Sequence, residues 1–211
     1  MIKECPACGH NATFRLSKPF QGGLTKYFQC ESCNTLFCGP LPNDNMVGGG
    51  SEMERNTEQN TERLFRFASL TESGAAILDY GCGHGMLVAD AIKDGFFAKG
   101  YDKFNPDFDQ LPDMKFDLVA LVECLEHLSF PFSEFDDIKS VMNPNAILYL
   151  ESSFTDVAEQ ERIPLESFFY VSPTVGHATI FSHKGLDILM NKKGFKPMEH
   201  INRHVRIYAK M

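Results

Sequence analysis

The chain has 211 residues, of which 43% are hydrophobic and 23% charged, a composition typical of one medium-sized globular core with room for a small additional module. No stretch reaches the roughly 18 apolar residues that a membrane-spanning helix needs, and the first residues lack the pattern of a signal peptide. We therefore expect a cytoplasmic protein that does not act at a membrane. The formal net charge of −8 argues against a general polyanion-binding role, and no DNA partner is expected.

Seven cysteines in such a chain are expected to be thiols or metal ligands, because a reducing cytoplasm keeps structural disulfides rare. Four of them form two C-x-x-C pairs, Cys5 with Cys8 and Cys30 with Cys33. Each pair can present two thiolates to one ion, and two pairs complete the tetrahedral shell of a structural Zn²⁺. Unligated thiols or a redox pair are the alternatives, and Cys38 could replace one ligand. The segment resembles a zinc ribbon.

This ribbon, residues 1–40, precedes a segment at residues 41–51 whose glycines, prolines and asparagines are typical of a linker. Residues 52–211 are then expected to form a second domain. A module of about 40 residues with few aliphatic side chains needs a metal or disulfides to fold, which agrees with the paired cysteines. The ribbon carries four basic and two acidic side chains. It is therefore a candidate contact for an RNA or acidic protein substrate, a lid, or a structural appendage.

From residue 52 onward, apolar segments of helix and strand length alternate along the chain. Helices are expected at residues 52–70, 86–93, 133–142 and 184–193. Strands are expected at residues 75–79, 96–101, 116–122, 146–151, 195–200 and 205–210. The alternation predicts an α/β fold with a Rossmann-like, doubly wound and mostly parallel sheet that is covered on both faces.

The strongest motif is the run Asp79-Tyr80-Gly81-Cys82-Gly83-His84-Gly85, where the first of these strands turns into a helix. Glycines there let the backbone approach a ligand, and an open α/β sheet binds ligands at the carboxyl ends of its strands. The spacing differs from the G-x-G-x-x-G pattern that holds a pyrophosphate, which disfavours a nicotinamide-dependent oxidoreductase. A tight connection without a ligand is the remaining alternative.

This motif, together with Asp102 at the end of the second strand and Phe116-Asp117-Leu118-Val119, resembles class I S-adenosylmethionine-dependent methyltransferases. Some enzymes of this class carry a similar N-terminal zinc ribbon. The resemblance implies that Asp79, the three glycines Gly81, Gly83 and Gly85, and Asp102 hold S-adenosylmethionine, with Asp102 on the ribose hydroxyls. Only thirteen residues separate Asp102 from Phe116, so the family's usual third strand is expected to be missing or rudimentary.

Methyl transfer from a sulfonium is an in-line displacement, so alignment is the main requirement, with a base added where the acceptor must lose a proton. The polar candidates beyond the fourth and fifth strands are Glu123, Glu126, His127, Tyr170 and His177. His177 is the candidate general base, because an imidazole titrates near neutral pH.

The pattern Glu123-x-x-Glu126-His127 also resembles one that holds a divalent ion in small-RNA 2'-O-methyltransferases and in ubiquinone-pathway O-methyltransferases. His177 would then correspond to the later histidine of the RNA enzymes, and Mg²⁺ or Mn²⁺ would suit the ligands. The metal-free interpretation, in which Glu126 and His127 shape the pocket floor, is preferred.

The predicted function is methyl transfer from S-adenosylmethionine to an unidentified acceptor, in the first place a hydroxyl group of a small molecule. An RNA 2'-O-methyltransferase with a divalent ion at Glu123, Glu126, His127 and His177 is one alternative, and a protein substrate is another. A third hypothesis is a non-catalytic module, in which the ribbon binds a partner and the α/β domain is a scaffold.

Overall fold

The structure is a computed structural model that describes residues 2–41, 57–128 and 131–211. The ribbon contains the strands β1 (Ile2–Glu4), β2 (Asn11–Phe20), β3 (Gly23–Cys30) and β4 (Leu36–Phe37). They pair in sequence order as an antiparallel sheet. One cysteine pair lies between β1 and β2, and the other begins at the last residue of β3. The two pairs thus stand at the same end of this sheet.

Helices and strands alternate through the rest of the described chain. The helices are α1 (Thr57–Leu70), α2 (Met86–Lys93), α3 (Pro131–Ser140), α4 (Thr155–Gln160) and α5 (His183–Lys192). The strands are β5 (Ala76–Tyr80), β6 (Phe97–Tyr101), β7 (Phe116–Val122), β8 (Met142–Glu151), β9 (Thr179–Ile180), β10 (Phe195–His200) and β11 (Val205–Lys210). Within these described ranges, no helix combines the length and the apolar character needed to cross a membrane.

Six of these strands form the second sheet, in the order β10-β11-β8-β7-β5-β6. The four strands from β8 to β6 are mutually parallel, whereas β11 is antiparallel to both of its neighbours. Every residue of β7 except Asp117 is buried, as expected for a parallel strand covered on both faces. Leu118 packs with α1 and α2, and Val119 packs with α3 and α5 on the opposite face. The predicted α/β class with a mostly parallel sheet is confirmed.

The boundaries of the predicted elements agree with the structure to within a few residues, with one larger difference. β8 begins at Met142, four residues before its predicted start, because Met142 pairs with Phe116 ahead of the irregular register at Pro144 and Asn145. Residues 103–115, all of them described, contain no strand, so β6 lies at the sheet edge and the expected loss of the third strand is confirmed. The predicted helical residues 52–56 lie outside the described residues.

The ribbon packs directly on the α/β part of the chain. Its last strand β4 pairs antiparallel with β9, with Leu36 opposite Ile180 and Phe37 opposite Thr179. Buried ribbon residues belong to the same hydrophobic cluster as α3 and α5. The predicted linker at residues 41–51 lies outside the described residues except for Leu41, so the proposed boundaries of the two domains stay a prediction.

Candidate active site

A glycine turn links β5 to α2 at the carboxyl edge of the second sheet. Gly81, Gly83 and Gly85 have φ angles of 81°, 56° and 76°, in the region that favours glycine. A Cβ atom on Gly81 would also collide with the side chain of Cys124. The motif therefore consists of glycines because its backbone conformation requires them, and at Gly81 because there is no space for a side chain.

Two carboxylates stand beside this turn. Asp79, near the end of β5, is 2% exposed. Asp102 follows β6, and its Oδ2 and Oδ1 accept hydrogen bonds from the backbone N–H groups of Gly83 and Phe104, both at 2.9 Å. Asn105 Nδ2 donates to the Gly83 carbonyl at 2.7 Å. The segment after β6 thus holds the middle of the glycine turn from both sides.

The shortened segment between β6 and β7 fills the space beside the turn with an aromatic ring. A Cβ atom on Gly85 would lie 2.6 Å from Cζ of Phe108, and one on Gly100 would lie 3.0 Å from its Cδ1. Phe108 packs where it does because both of these positions are glycine. The ring therefore packs against the end of the glycine turn and one face of β6.

A second group of polar residues lies at the carboxyl ends of β7 and β8. Glu126 and His127 stand in a 3₁₀ turn, Leu125–His127, directly after β7. His177 comes from the 161–178 loop, which connects α4 to β9. Its Nε2 lies 3.9 Å from Glu126 Oε1, and His127 Nε2 lies 3.8 Å from the same oxygen. In the described ranges, only this trio and the four paired cysteines gather three or more metal-ligating atoms within 4.8 Å of one another.

Both imidazoles are held with Nε2 toward Glu126. His127 Nδ1 lies 3.2 Å from the carbonyl of Gly176, and His177 Nδ1 lies 2.6 Å from that of Tyr170. Because a carbonyl oxygen can only accept, each Nδ1 carries a proton and each Nε2 has a lone pair in the neutral ring. Burial lowers the pKa of His177 and outweighs the Glu126 carboxylate, which raises it. His177 is therefore neutral at neutral pH.

Glu126 is a buried carboxylate with its two oxygens in different environments. Its side chain is 1% exposed, and Oε2 accepts a hydrogen bond from Ser152 Oγ at 2.9 Å. Oε1 has no hydrogen-bond partner among the residues that the structure describes. An unsatisfied buried carboxylate oxygen is costly, so this position favours a proton, a cation or a polar ligand next to Oε1.

Tyr170 connects this centre to Glu123. The Tyr170 hydroxyl donates to Glu123 Oε2 at 3.0 Å and lies 3.0 Å from Ser152 Oγ. Burial, together with the Glu126 and Glu123 carboxylates, raises the pKa of Tyr170 well above its ordinary value, so that it acts as a donor. Glu123 has a φ of 50°, a strained conformation for this residue that is often retained at functional sites. Its carboxylate is linked to the trio through Tyr170 and is not part of it.

Sequence reasoning missed Ser152 and Asn105. Ser152 directly follows β8, so its place at the carboxyl edge of the sheet was a usable signal. Asn105 stands in an Asn-Pro-Asp run that is typical of a turn, but nothing in the run points to the glycine turn.

The four paired cysteines come together inside the ribbon. All four are buried, with Sγ–Sγ distances of 3.7 Å between Cys5 and Cys33 and 3.4 Å between Cys8 and Cys30. Ligands at a Zn–S distance of about 2.3 Å stand about 3.8 Å apart in a tetrahedron, so these sulfurs fit one Zn²⁺. Cys38 lies outside the cluster, and its Sγ contacts the carbonyl of Ala178 at 3.6 Å.

Residues 51–200 match a protein family described as a methyltransferase domain. The match covers well over half of the chain, and the chain belongs to this family. It is a class I S-adenosylmethionine-dependent methyltransferase. No curated protein sequence matches the chain.

Solved structures share the fold at low sequence identity. The 1,6-didemethyltoxoflavin-N1-methyltransferase of Burkholderia thailandensis, with its substrate and S-adenosylhomocysteine bound, is 13% identical, with a TM-score of 0.57 over 86% of this chain and 97% of its own. An amino pentose methyltransferase from Micromonospora echinaspora with bound S-adenosylmethionine is 13% identical, with a TM-score of 0.52 over 78% and 94%. A methyltransferase from Archaeoglobus fulgidus is 18% identical, with a TM-score of 0.51 over 76% and 97%.

Proposed function

We propose that this enzyme transfers the methyl group of S-adenosylmethionine to a hydroxyl group of a small molecule. The observation that carries the proposal is the trio of the buried Glu126 and the partly exposed His127 and His177, on the same sheet edge as the glycine turn. A neutral hydroxyl is a weak nucleophile, so a base beside it has a defined task. The two similar enzymes from Burkholderia and Micromonospora are named for small-molecule substrates, which supports a small molecule as the acceptor; the choice of a hydroxyl rests on the trio.

The donor side is assigned to Asp79, Gly81, Gly83, Gly85 and Asp102. This set fits S-adenosylmethionine, because two carboxylates, which accept hydrogen bonds from amino and hydroxyl groups, stand beside the glycine turn. Bound there, S-adenosylmethionine supplies a methyl group on a positively charged sulfur. Asp102 would hold the ribose hydroxyls through charge-assisted hydrogen bonds.

On the acceptor side, Nε2 of His177 would take the hydroxyl proton while the oxygen bonds to the methyl carbon and the methyl–sulfur bond breaks, which leaves S-adenosylhomocysteine. Glu126, 3.9 Å away, stabilises the resulting imidazolium. Tyr170 keeps its proton and donates to Glu123, and this hydrogen bond fixes the two side chains beside His177. His127 presents its Nε2 to the same carboxylate and helps to define the position of the acceptor.

A divalent ion at Glu126, His127 and His177 is a second candidate, favoured by the unsatisfied Oε1 of Glu126. The donor set fits an ion, since each Nδ1 faces a carbonyl, as in metal-binding histidines. Two imidazoles and one carboxylate suit Mn²⁺ better than Mg²⁺, which prefers oxygen ligands. Such an ion would lower the pKa of the acceptor hydroxyl.

We also propose a structural Zn²⁺ held by Cys5, Cys8, Cys30 and Cys33. Four thiolates leave no open coordination position, so this ion would take no part in the chemistry. Its binding free energy would stabilise the folded ribbon. Measured metal content distinguishes the two sites: Glu126→Gln should retain one zinc per chain. Any additional manganese present in the wild type should be lost from this variant.

Two experiments test the function. Calorimetric titration of S-adenosylhomocysteine should show binding to the wild type and strongly weakened binding to Asp102→Ala; unchanged binding in that variant would remove the donor assignment. Radiolabelled donor is then incubated with separate small-molecule, RNA and protein fractions of an extract. We expect label in the small-molecule fraction, whereas label confined to RNA or protein would replace the proposed acceptor class.

The role of His177 is tested with the labelled acceptor in hand. His177→Ala should bind S-adenosylhomocysteine normally and turn over far more slowly than the wild type. His204→Ala, which alters a histidine near β11, is the matched control and should remain active. A fully active His177→Ala variant would exclude the proposed base.

A further inference from the structure

Tyr27 is a ribbon residue that reaches into the 161–178 loop. It lies in β3, is 0% exposed, and its hydroxyl donates to the carbonyl of His177 at 2.6 Å. The N–H of His177 donates to the Ser172 carbonyl at 3.2 Å, and its Nδ1 faces the Tyr170 carbonyl. Three hydrogen bonds therefore fix this histidine, and one of them comes from the ribbon.

The residue after His177 is also held from both sides. The carbonyl of Ala178 accepts a hydrogen bond from the N–H of Cys38 at 3.0 Å, and its own N–H donates to the carbonyl of Glu126 at 2.8 Å. The next residue, Thr179, opens β9 and pairs with Phe37 of the ribbon. A continuous backbone connection thus runs from the ribbon through Ala178 to Glu126.

The second cysteine pair sets the geometry of these contacts. Cys30 is the last residue of β3, three positions after Tyr27, and its N–H donates to the Thr35 carbonyl at 2.9 Å. Thr35 stands two residues after Cys33 and directly precedes β4, whose register with β3 places Phe37 opposite Phe28. The hydroxyl of Ser182, just after β9, donates to the carbonyl of Cys33. The turn that carries the cysteines is therefore anchored to the strand that follows His177.

Charged side chains on the ribbon surface also contact the 161–178 loop. Arg15 Nη1 donates to Glu166 Oε1 at 2.7 Å, and Lys18 Nζ donates to the Glu166 carbonyl at 2.8 Å. Glu166 belongs to the 161–178 loop. Two of the four basic side chains of the ribbon are thus engaged with the enzyme's own loop, which favours an internal role for the ribbon over RNA capture.

We propose that the ribbon forms one wall of the acceptor site and that Tyr27 is a positioning residue for His177. The inference rests on the role proposed above for His177. Loss of the Tyr27 hydroxyl leaves the part-buried carbonyl of His177 without its donor, and the loop backbone shifts to recover a partner. Nε2 of His177 then moves relative to Glu126 Oε1. A small misplacement of a reacting group is enough to slow catalysis strongly.

Tyr27→Phe tests the proposal, with Tyr208→Phe as the matched control. Tyr208 is equally buried and belongs to the same hydrophobic cluster, but it lies in β11, and its hydroxyl donates at 2.6 Å to Asp187 of α5 and not to the 161–178 loop. We expect kcat to fall by at least about tenfold in Tyr27→Phe, with unchanged KM for S-adenosylmethionine and unchanged zinc content. Tyr208→Phe should stay within about twofold of the wild type.

A second measurement keeps the proposal separate from the catalytic role of His177. The ring ¹⁵N NMR signals of His177, recorded at one fixed pH, should shift in Tyr27→Phe and stay in place in Tyr208→Phe. The NMR shift tests the position of His177 and does not depend on its role as a base. An active His177→Ala variant would refute only the proposed base. Wild-type kcat with unshifted ring signals in Tyr27→Phe would overturn the positioning role. Equal losses of kcat, donor binding and zinc would also overturn it, because they would indicate general structural damage.

Discussion

The proposed donor side and the proposed acceptor side of this site are assembled in different ways. The donor side comes from two short pieces of chain, the glycine turn at residues 79–85 and the segment at residues 102–105, which are joined by backbone hydrogen bonds. The acceptor side combines Glu126 with His177, and His177 is held in turn by Tyr27, which lies 150 positions earlier in the sequence. The first depends on backbone conformation, and the second depends on buried side chains that long-range packing brings together.

This difference should separate the effects of substitutions. Changes at the glycine turn should alter binding of the donor, because they move the backbone that approaches it. Changes at the trio should alter turnover and leave donor binding intact, because our proposal places Glu126 and His177 on the acceptor side.

The largest effect is expected for Glu126→Gln. The substitution keeps the shape of the side chain but removes the negative charge that faces both histidines. We expect kcat to fall by about a thousandfold, in the range typical of lost acid–base catalysis, with an unchanged Kd for S-adenosylhomocysteine. Glu72→Gln, at an exposed position near the amino end of β5, is the control. Parallel losses of kcat and donor affinity in Glu126→Gln would show that the two sides are not separable.

Gly81→Ala should act mainly on the proposed donor side. At a φ of 81° an alanine is strained, and its Cβ would collide with Cys124, so the turn must shift. We expect the Kd for S-adenosylhomocysteine to rise by about a hundredfold, which corresponds to about 3 kcal/mol.

Gly74→Ala is the matched control for Gly81→Ala. Gly74 has a φ of 83° with open space around its Cβ position, so it carries the strain without the collision. Its Kd should be that of the wild type. A similar loss of affinity in both variants would mean that the space at Gly81 is irrelevant to donor binding.

The same contrast explains how much the sequence could predict. The sheet, the glycine turn and Asp102 follow from patterns within a few residues of each other, and the missing third strand follows from a simple count. Glu126, His127 and His177 were candidates, but their convergence depends on a loop that follows α4, a helix too short to leave a clear pattern. Tyr27 carried no signal, because its partner is a backbone carbonyl and any residue at position 177 would provide one.

The pH dependence of turnover should report the acceptor side. His177 acts as a base only when neutral, so the rate should rise with pH through its pKa and then level off. Burial lowers that pKa below its ordinary value of 6.5, and the neighbouring His127 lowers it further. The Glu126 carboxylate raises it, but by less. We expect kcat to fall by about tenfold per pH unit below the pKa of His177, while the Kd for S-adenosylhomocysteine does not change with pH there. A rate that still climbs well above neutral pH would contradict the neutral His177.

The smallest effect is expected at the exposed edge of the ribbon contact. Arg15 and Glu166 form an ion pair at 2.7 Å, but their side chains are 41% and 48% exposed, so water screens the attraction. A double-mutant cycle with Arg15→Met and Glu166→Gln should give a coupling free energy below about 1 kcal/mol, and kcat should change little. Tyr27, at 0% exposure, makes its contact with the same loop where no water can replace it. If removal of the Arg15–Glu166 ion pair lowered kcat as much as Tyr27→Phe does, the exposed ion pair would position the loop. The hydrogen bond from Tyr27 to His177 would then not be the contact that matters for catalysis.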